Sequence, residues 1–189
     1  MNDFSLLCRV LGSLFYRQPQ DPVLAPVYTL IREGKLAANW PLEQDELLAR
    51  LAQHAAADEI NADYQALFGG EDPRVSPYRS AWVEPGAPDV RQYLTERGMP
   101  LPEGAVDHFG QILLAGSWLE DQRLDDETEA LTTFFADFLL PWCGTFLGKT
   151  EAHATTAFWR TLAIVTRDAI QAMWDDLQED DEACATPEE

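Results

Sequence analysis

The sequence has 189 residues, a length typical of one domain, and its hydrophobic fraction of 46% includes nine Phe, six Trp and five Tyr. That content supports a packed core and excludes wholesale disorder. The 33 Asp and Glu outnumber the 13 Lys and Arg, for a formal net charge of −20. Such a surface repels phosphates and anionic headgroups, so we expect no nucleic-acid partner and no membrane insertion. This charge is compatible with basic partners. The alternative is that the acidity serves only to keep the protein soluble.

Cysteine usage and the N-terminus indicate a cytoplasmic protein. Cys8, Cys143 and Cys184 lie far apart, without a CxxC pair or Cys/His metal spacing. This is typical of a reducing compartment and argues against disulfides or structural zinc. The N-terminal residues do not have the order of charge and apolar run that defines a secretory signal. No run of about 18 apolar residues occurs, so we expect no membrane-spanning segment.

Apolar residues at helical spacing predict four helices in the first half of the chain. They cover residues 4–17, residues 24–33 before Gly34, a segment that opens on the acidic residues at 43, 45 and 46, and residues 58–68 before Gly69. Gly and Pro recur through residues 69–88, which predicts a long ordered loop. A short helix over 88–97 follows. The Pro- and Gly-rich break near residues 98–107 is the candidate hinge between two lobes.

Three longer helices are predicted in the second half. One begins at Asp107, one opens on residues 125–127 and is kinked by Pro141, and one is capped by Thr155 or Thr156. Residues 179–189 hold six acids and no base, and we expect an acidic flexible tail there. Alternating strand patterns are nearly absent. The sequence therefore predicts an all-α, compact helical bundle, a single domain over residues 1–178 with lobes over residues 1–99 and 107–178.

Catalytic and cofactor motifs are weak. Residues 144–150, Gly-Thr-Phe-Leu-Gly-Lys-Thr, resemble a phosphate-binding loop, but the spacing is one residue short and no strand precedes it. A helix C-terminus capped by Gly148 is the favoured interpretation. His54, His108 and His153 show no metal-ligand spacing, and no GxSxG elbow occurs. We expect no catalytic residues, no metal and no cofactor.

Two segments place unusual residues where the chain is least regular. Tyr78 and Trp82 lie in the long loop, where aromatic residues either tuck back to close the core, which composition favours, or line a groove for an apolar ligand. Asp107 and His108 follow the second break. Asp107 is placed to cap the next helix, but both residues could instead lie between the lobes and meet a basic peptide. Aromatic residues at helical spacing are expected in the core: Trp118, Phe134, Phe138, Trp159 and Trp174.

Several segments together carry a family resemblance. They are residues 9–16 followed by Pro19, Asp63-Tyr64 with Leu67-Phe68-Gly69, residues 76–82 (Ser-Pro-Tyr-Arg-Ser-Ala-Trp), Asp107-His108-Phe-Gly110 with Leu113, and Leu140-Pro-Trp142, Phe146 and Phe158-Trp159. In these segments the sequence resembles the TorD/DmsD/NarJ family of chaperones for molybdoenzymes, and within it the enterobacterial YcdY branch. Asp-His-x-Gly belongs to the family's most diagnostic motif. Gly-Ala-Val at 104–106 stands where the family has Glu-Pro.

The resemblance implies an all-helical chaperone that binds a client enzyme or its N-terminal twin-arginine signal peptide and assists maturation or cofactor or metal insertion. The client would be a molybdoenzyme or, in this branch, a metal-dependent phosphohydrolase. Tyr78 and Trp82 would contact the apolar stretch of a signal peptide, and Asp107 and His108 its polar or basic part. A monomer and a dimer with exchanged lobes are both open. The alternatives are a small metal- or nucleotide-dependent hydrolase and a permanent interaction subunit of a complex.

Overall fold

The computed structural model describes residues 3–55, 57–122 and 126–185, and within them it contains helices and no β-strand, which confirms the all-α prediction. In chain order the helices are α1 (Asp3–Tyr16), α2 (Ala25–Arg32), α3 (Lys35–Ala38), α4 (Asp45–Gln53), α5 (Ala57–Phe68), α6 (Val90–Glu96), α7 (Phe109–Asp121), α8 (Glu127–Phe134), α9 (Leu140–His153) and α10 (Ala157–Ala185). Short 3-10 turns form at Pro22–Leu24 and Arg79–Ala81. α10 packs against α9, α4 and α8, and α1 packs along α7.

A group of aromatic rings fills the centre of the bundle. Neighbouring ring centroids lie between 4.7 and 6.2 Å apart among Phe15, Phe68, Phe109, Phe146 and Trp159. Rings at such distances add tilted and edge-to-face attraction to the free energy of burial. Of the aromatic residues predicted for the core, three are buried and two are half-buried at its edge: Phe134, Phe138 and Trp159, and Trp118 and Trp174.

α1 and α7 approach most closely where two glycines meet. A Cβ atom at Gly110 would lie 2.5 Å from the carbonyl oxygen of Gly12 and 2.5 Å from the backbone nitrogen of Tyr16. Real Cβ atoms essentially never make contacts under 3.0 Å. Glycine at 110 therefore allows the first turn of α7 to lie against the end of α1. This close approach matters for the site, because it brings Tyr16 beside the residues that precede α7.

The Asp63-Tyr64 pair of α5 joins two helix ends. Asp63 is buried and accepts hydrogen bonds from the backbone N–H groups of Thr155 and Thr156 at 3.1 and 2.9 Å and from the Thr156 hydroxyl at 2.6 Å. Thr156 also caps α10 with its own hydroxyl oxygen, as predicted. The Tyr64 hydroxyl donates to the Phe15 carbonyl at 2.9 Å, in the last turn of α1. Through this pair, α5 fixes the start of α10 and the end of α1 relative to each other.

α8, a π-helical segment at Phe135–Leu139 and α9 continue as one helical stretch. The π-helical irregularity directly precedes Pro141, the residue predicted to kink this helix. Pro141 has no N–H to donate to the carbonyl of Asp137, four residues earlier, and Arg79 Nη2 donates to that oxygen at 3.3 Å. The stretch is long and apolar enough to cross a membrane by composition, but 56% of its most apolar window is buried inside the protein, as in a core helix.

The structure corrects three details of the predicted fold. α3 is a one-turn helix that the sequence pattern did not predict. Gly148 does not end a helix, because α9 continues to His153, and residues 144–150 lie within that helix rather than in a phosphate-binding loop. Residues 179–185 continue α10 instead of forming a flexible tail, and residues 186–189 lie outside the described part of the chain. The remaining helices lie close to their predicted bounds.

Candidate functional site

The two irregular segments singled out in the sequence meet in space. Tyr78 and His108 form an isolated antiparallel bridge. On one side of it the Arg79 N–H donates to the Asp107 carbonyl at 3.0 Å, and on the other the Phe109 N–H donates at 2.8 Å to the carbonyl of the residue before Tyr78. The bridge therefore holds the long loop directly against the first turn of α7.

His108 is buried and caps α7. Its backbone is extended, with φ −61° and ψ 137°, and its Nδ1 accepts a hydrogen bond from the Gly110 N–H at 3.0 Å. Burial lowers the pKa of His108 to about 4, although the neighbouring Asp107 carboxylate opposes the shift. The ring is therefore neutral at pH 7, and because Nδ1 is an acceptor the proton resides on Nε2.

The prediction that Asp107 caps α7 is wrong. The capping position falls one residue later, because His108 is the last residue with an extended backbone before the helix. Asp107 Oδ2 instead accepts a hydrogen bond from the backbone N–H of Ser80 at 2.9 Å. Its side chain is half-buried, so this carboxylate both pins the long loop and keeps a face towards solvent.

A cavity of about 570 Å³ opens beside Asp107. It is lined by Arg79, Ser80, residues 83–91 and residues 104–107, and we call it the acidic groove. Three of its lining residues carry carboxylates, namely Glu84, Asp89 and Asp107. Asp89 also caps α6, since its Oδ1 accepts from the Arg91 N–H at 2.9 Å. The groove thus brings together acids from the long loop and from the segment before α7.

Both arginines that line the acidic groove are engaged with protein oxygens. Arg91 Nη2 donates to the carbonyls of Pro102 and Gly104 at 2.7 and 2.5 Å. These bonds tie the second break to α6 at the position where Gly-Ala-Val departs from the family pattern, and Val106 there is buried. Both guanidinium groups donate to main-chain carbonyl oxygens, and the three carboxylates of the groove outnumber its two arginines by one, so the groove has a net negative charge for an external cation.

Arg79 is a residue whose importance the sequence reasoning missed. It is only 6% exposed, its Nη1 donates to the Pro88 carbonyl at 2.9 Å, and its guanidinium lies 5.1 Å from the centroid of the Phe138 ring. Burial lowers the pKa of Arg79, while nearby carboxylates, Asp107 first among them, oppose the shift. Arg79 thereby fastens the long loop to the irregular stretch before Pro141. Its one signal in the sequence is a cation between two aromatic residues.

The two aromatic residues of the loop behave differently. Trp82 is half-buried, its indole N–H donates to the Ser76 carbonyl at 2.8 Å, and its ring lies 6.4 Å from that of Phe146. Tyr78 is 41% exposed and stands edge-on to the His108 ring at 5.5 Å. Tucking against the core, the interpretation favoured from composition, is therefore right for Trp82 and wrong for Tyr78.

A metal-binding cluster is one kind of site that the described residues do not form. Across residues 3–55, 57–122 and 126–185, no group of three or more His, Cys, Asp or Glu is arranged to hold a metal ion. The side chains brought together at the bridge are an exposed phenol, a neutral imidazole and a half-buried carboxylate. This arrangement offers an apolar contact beside an anionic one, which suits the recognition of a peptide.

Comparison with known proteins gives consistent matches. A family model described as nitrate reductase delta subunit matches residues 33–148. The chain is 67% identical over 184 residues to the chaperone protein YcdY of Escherichia coli strain K12, covering 96% of this chain and 100% of that protein. It is 37% identical over 187 residues to an uncharacterized protein of Haemophilus influenzae, covering 95% and 97%. It is 29% identical over 189 residues to the Tat proofreading chaperone DmsD of Salmonella typhimurium, covering 92% and 89%.

Proposed function

Because this chain belongs to the nitrate reductase delta subunit family, in the YcdY branch of its TorD-type chaperones, we infer that it is not an enzyme. From that premise we propose that it acts in the cytoplasm and binds a client enzyme, or the client's N-terminal signal peptide, while the client matures. The chaperone would supply no chemistry of its own. It would shield the bound segment until a cofactor or metal has been inserted.

The observation that carries this proposal is the position of exposed Tyr78 next to the acidic groove. Basic residues of a client peptide would form charge-assisted hydrogen bonds with carboxylates of the groove, and the apolar residues that follow would pack on the tyrosine ring. The formal net charge of −20 adds a long-range attraction for a basic segment and speeds its approach. This order of contacts fits a signal peptide in which an arginine pair precedes an apolar stretch.

The four residues expected to bind the client take different parts in the proposal. Tyr78 and Asp107 present atoms to solvent and would contact the client directly. Trp82 and His108 would act by position, since each makes a hydrogen bond that fixes the bridge or the loop. His108 would not bind a basic residue through charge, because its ring is neutral at pH 7.

The class of client is the finer part of the proposal. Two relatives bear directly on it: DmsD of Salmonella typhimurium is named a Tat proofreading chaperone, and YcdY of Escherichia coli is named a chaperone without a stated client. We propose either a molybdoenzyme with a twin-arginine signal, which the name of DmsD supports, or the metal-dependent phosphohydrolase that the resemblance to the YcdY branch implies. The protein would bind it as a monomer or as a dimer with exchanged lobes.

Calorimetry with a synthetic peptide tests the groove assignment. The probe carries an Arg-Arg pair followed by a leucine-rich stretch, and wild-type protein is compared with Tyr78→Ala and Asp107→Asn. The asparagine keeps an oxygen for the Ser80 N–H, so the loop should hold its place while a charge is lost. We expect binding to weaken about tenfold for Tyr78→Ala and several-fold for Asp107→Asn, with a smaller salt dependence in the latter.

A matched carboxylate on the far part of the chain provides the control. Asp168 is an exposed residue of α10 outside the groove, and Asp168→Asn should leave affinity unchanged. Equal affinity in Asp107→Asn and Asp168→Asn, together with full binding by Tyr78→Ala, would contradict the assignment. A pull-down with wild-type protein and the Tyr78→Ala variant then identifies the client, because the true client is lost from the variant alone.

A further inference from the structure

A second exposed tyrosine shares the platform on which Tyr78 stands. Tyr16, the last residue of α1, is 39% exposed, and Tyr78 is 41% exposed. The Tyr16 ring stands edge-on to His108 at 5.4 Å, and the Tyr78 ring does so at 5.5 Å. The two tyrosines come from the end of α1 and from the long loop, yet both contact the same buried imidazole. We call them the tyrosine pair.

We propose that Tyr16 is a further contact for the client, and that the tyrosine pair receives the apolar residue that directly follows the basic residues held in the acidic groove. This inference rests on the proposed function, since it extends the same binding surface from the long loop onto α1. It gives Tyr16 a specificity-determining role, although the sequence pattern predicts only that Tyr16 lies in a helix that packs on the core. Tyr16 would select for a bulky apolar side chain at one position of the peptide.

The chemistry of the platform favours an apolar occupant. The His108 ring contacts both phenol rings edge-on and is neutral at pH 7, so no charge on it has to be desolvated when an aliphatic side chain covers the pair. Each phenol ring lies within 5.5 Å of the same imidazole, so the centroids of the two phenol rings are at most about 11 Å apart. Side chains on one face of an extended peptide recur about every 6.6 Å, so such a peptide can reach both rings.

Charge fixes which part of the peptide reaches the pair. The bridge that carries Tyr78 continues into Asp107, the carboxylate at the edge of the acidic groove, so the anionic contacts lie on one side of the pair. Tyr16 also lines a separate cavity of about 610 Å³, together with Arg17, Gln18, Gln20, Asp21 and Pro22. The cation there, Arg17, is paired with Asp21 at 3.3 Å. The basic residues of a peptide would therefore bind at the acidic groove, and the apolar residue that follows them would reach the tyrosine pair.

The contacts of Tyr16 allow its ring to be removed without disturbing the helix packing. Gly110 approaches the backbone nitrogen and Cβ atom of Tyr16, and alanine keeps both. The Tyr64 hydroxyl reaches the main-chain oxygens at the end of α1, which alanine also keeps. Tyr16→Ala should therefore fold, and its circular dichroism and melting temperature provide the check.

The experiment measures the affinity of the same Arg-Arg peptide for Tyr16→Ala, Tyr16→Phe and the control Leu30→Ala. Leu30 is an apolar residue of α2 with a matching 41% exposure, away from the groove. We expect about tenfold weaker binding for Tyr16→Ala, near wild-type binding for Tyr16→Phe and no change for Leu30→Ala. A second peptide with Ser in place of the first apolar residue should bind wild type weakly and lose nothing further in Tyr16→Ala.

The outcomes separate this inference from the proposed function. If Tyr78→Ala and Asp107→Asn lose affinity while Tyr16→Ala binds as tightly as Leu30→Ala, the groove stands and the role of Tyr16 is refuted. If neither peptide binds wild-type protein, both the assignment of the acidic groove to a signal peptide and the role of Tyr16 are refuted. An equal loss in Tyr16→Ala for the apolar and the Ser-substituted peptide would also overturn the inference, because it would mean that Tyr16 only supports the fold of the site.

Discussion

Replacing Gly110 by alanine should destabilise the protein by more than an ordinary surface substitution. The added Cβ would lie 2.5 Å from two backbone atoms, about 1 Å closer than the 3.4 Å at which contact becomes ordinary. Neither atom belongs to a flexible side chain, so α1 and α7 must move apart along their shared face. Overpacking of this kind costs about 1–3 kcal/mol, and we expect the upper half of that range. The melting temperature should then fall by about 4–12 °C.

The chain offers a matched control within another helix. Gly144 lies in α9, where a Cβ atom would meet nothing within 4 Å. Gly144→Ala should therefore gain about 0.5–1 kcal/mol, because alanine is the better helix former. Urea unfolding followed by circular dichroism measures both variants. A Gly110→Ala protein as stable as wild type, or one that gains stability as Gly144→Ala does, would refute the close packing of α1 on α7.

Two further predictions follow from buried carboxyl groups. Asp63→Asn should lower the free energy of unfolding by about 1–3 kcal/mol in urea melts, because a buried carboxylate no longer caps the first turn of α10 through Thr156. Burial raises the pKa of Glu120 to about 8, with Glu127 adding to the shift. A carboxyl whose pKa is raised by folding stabilises the protein below its unfolded pKa of 4.5, and that stability is lost as pH rises through 8. The fall in melting temperature between pH 5 and pH 9 should therefore be smaller in Glu120→Gln.

Each of these predictions has a result that would contradict it. Asp168→Asn removes an exposed acid of α10 and should be nearly neutral, so an equal effect in Asp63→Asn would mean that its hydrogen bonds contribute nothing. Glu120 faces other acids from α7, α8 and α10, including Asp121, Glu127 and Asp180. Unchanged pH dependence after Glu120→Gln would show that these neighbours, and not Glu120, carry the titration.

The helices were predictable because each buries an apolar stripe that recurs at helical spacing. α1 is one example, and α7 is another. Prediction failed where only tertiary contacts decide the outcome. Gly148 costs a helix about 1 kcal/mol relative to alanine, which packing on both sides easily offsets, so α9 continues through it. Residues 179–185 remain helical although they repel one another, because repulsion between such neighbours amounts to a few tenths of a kcal/mol and Leu177 anchors the preceding turn in the core.

The sequence predicted which segments form the candidate site, but it did not predict the contacts between them. The sequence singled out Tyr78 and Asp107 because their neighbours cannot form regular helices. It could not show that a bridge joins them, since the two segments are separated by α6 and the second break. Tyr16 and Arg79 were missed for the same reason. In the sequence alone, Tyr16 looks like the last residue of an amphipathic helix, and Arg79 looks like a solvent-exposed cation in a loop.

His108 shows how a residue type can mislead about mechanism. An imidazole beside a carboxylate indicates a titratable pair when the sequence alone is considered. In the fold, Nδ1 accepts a hydrogen bond from the Gly110 N–H, and burial keeps the ring neutral. His108 therefore caps α7 and contacts the tyrosine pair, and it contributes no charge to the site. Attraction for a basic client must then come from the carboxylates of the acidic groove. The two residues of the Asp-His motif therefore have separate roles. Asp107 supplies negative charge at the surface, and the neutral ring of His108 supports the two tyrosine side chains that offer an apolar contact.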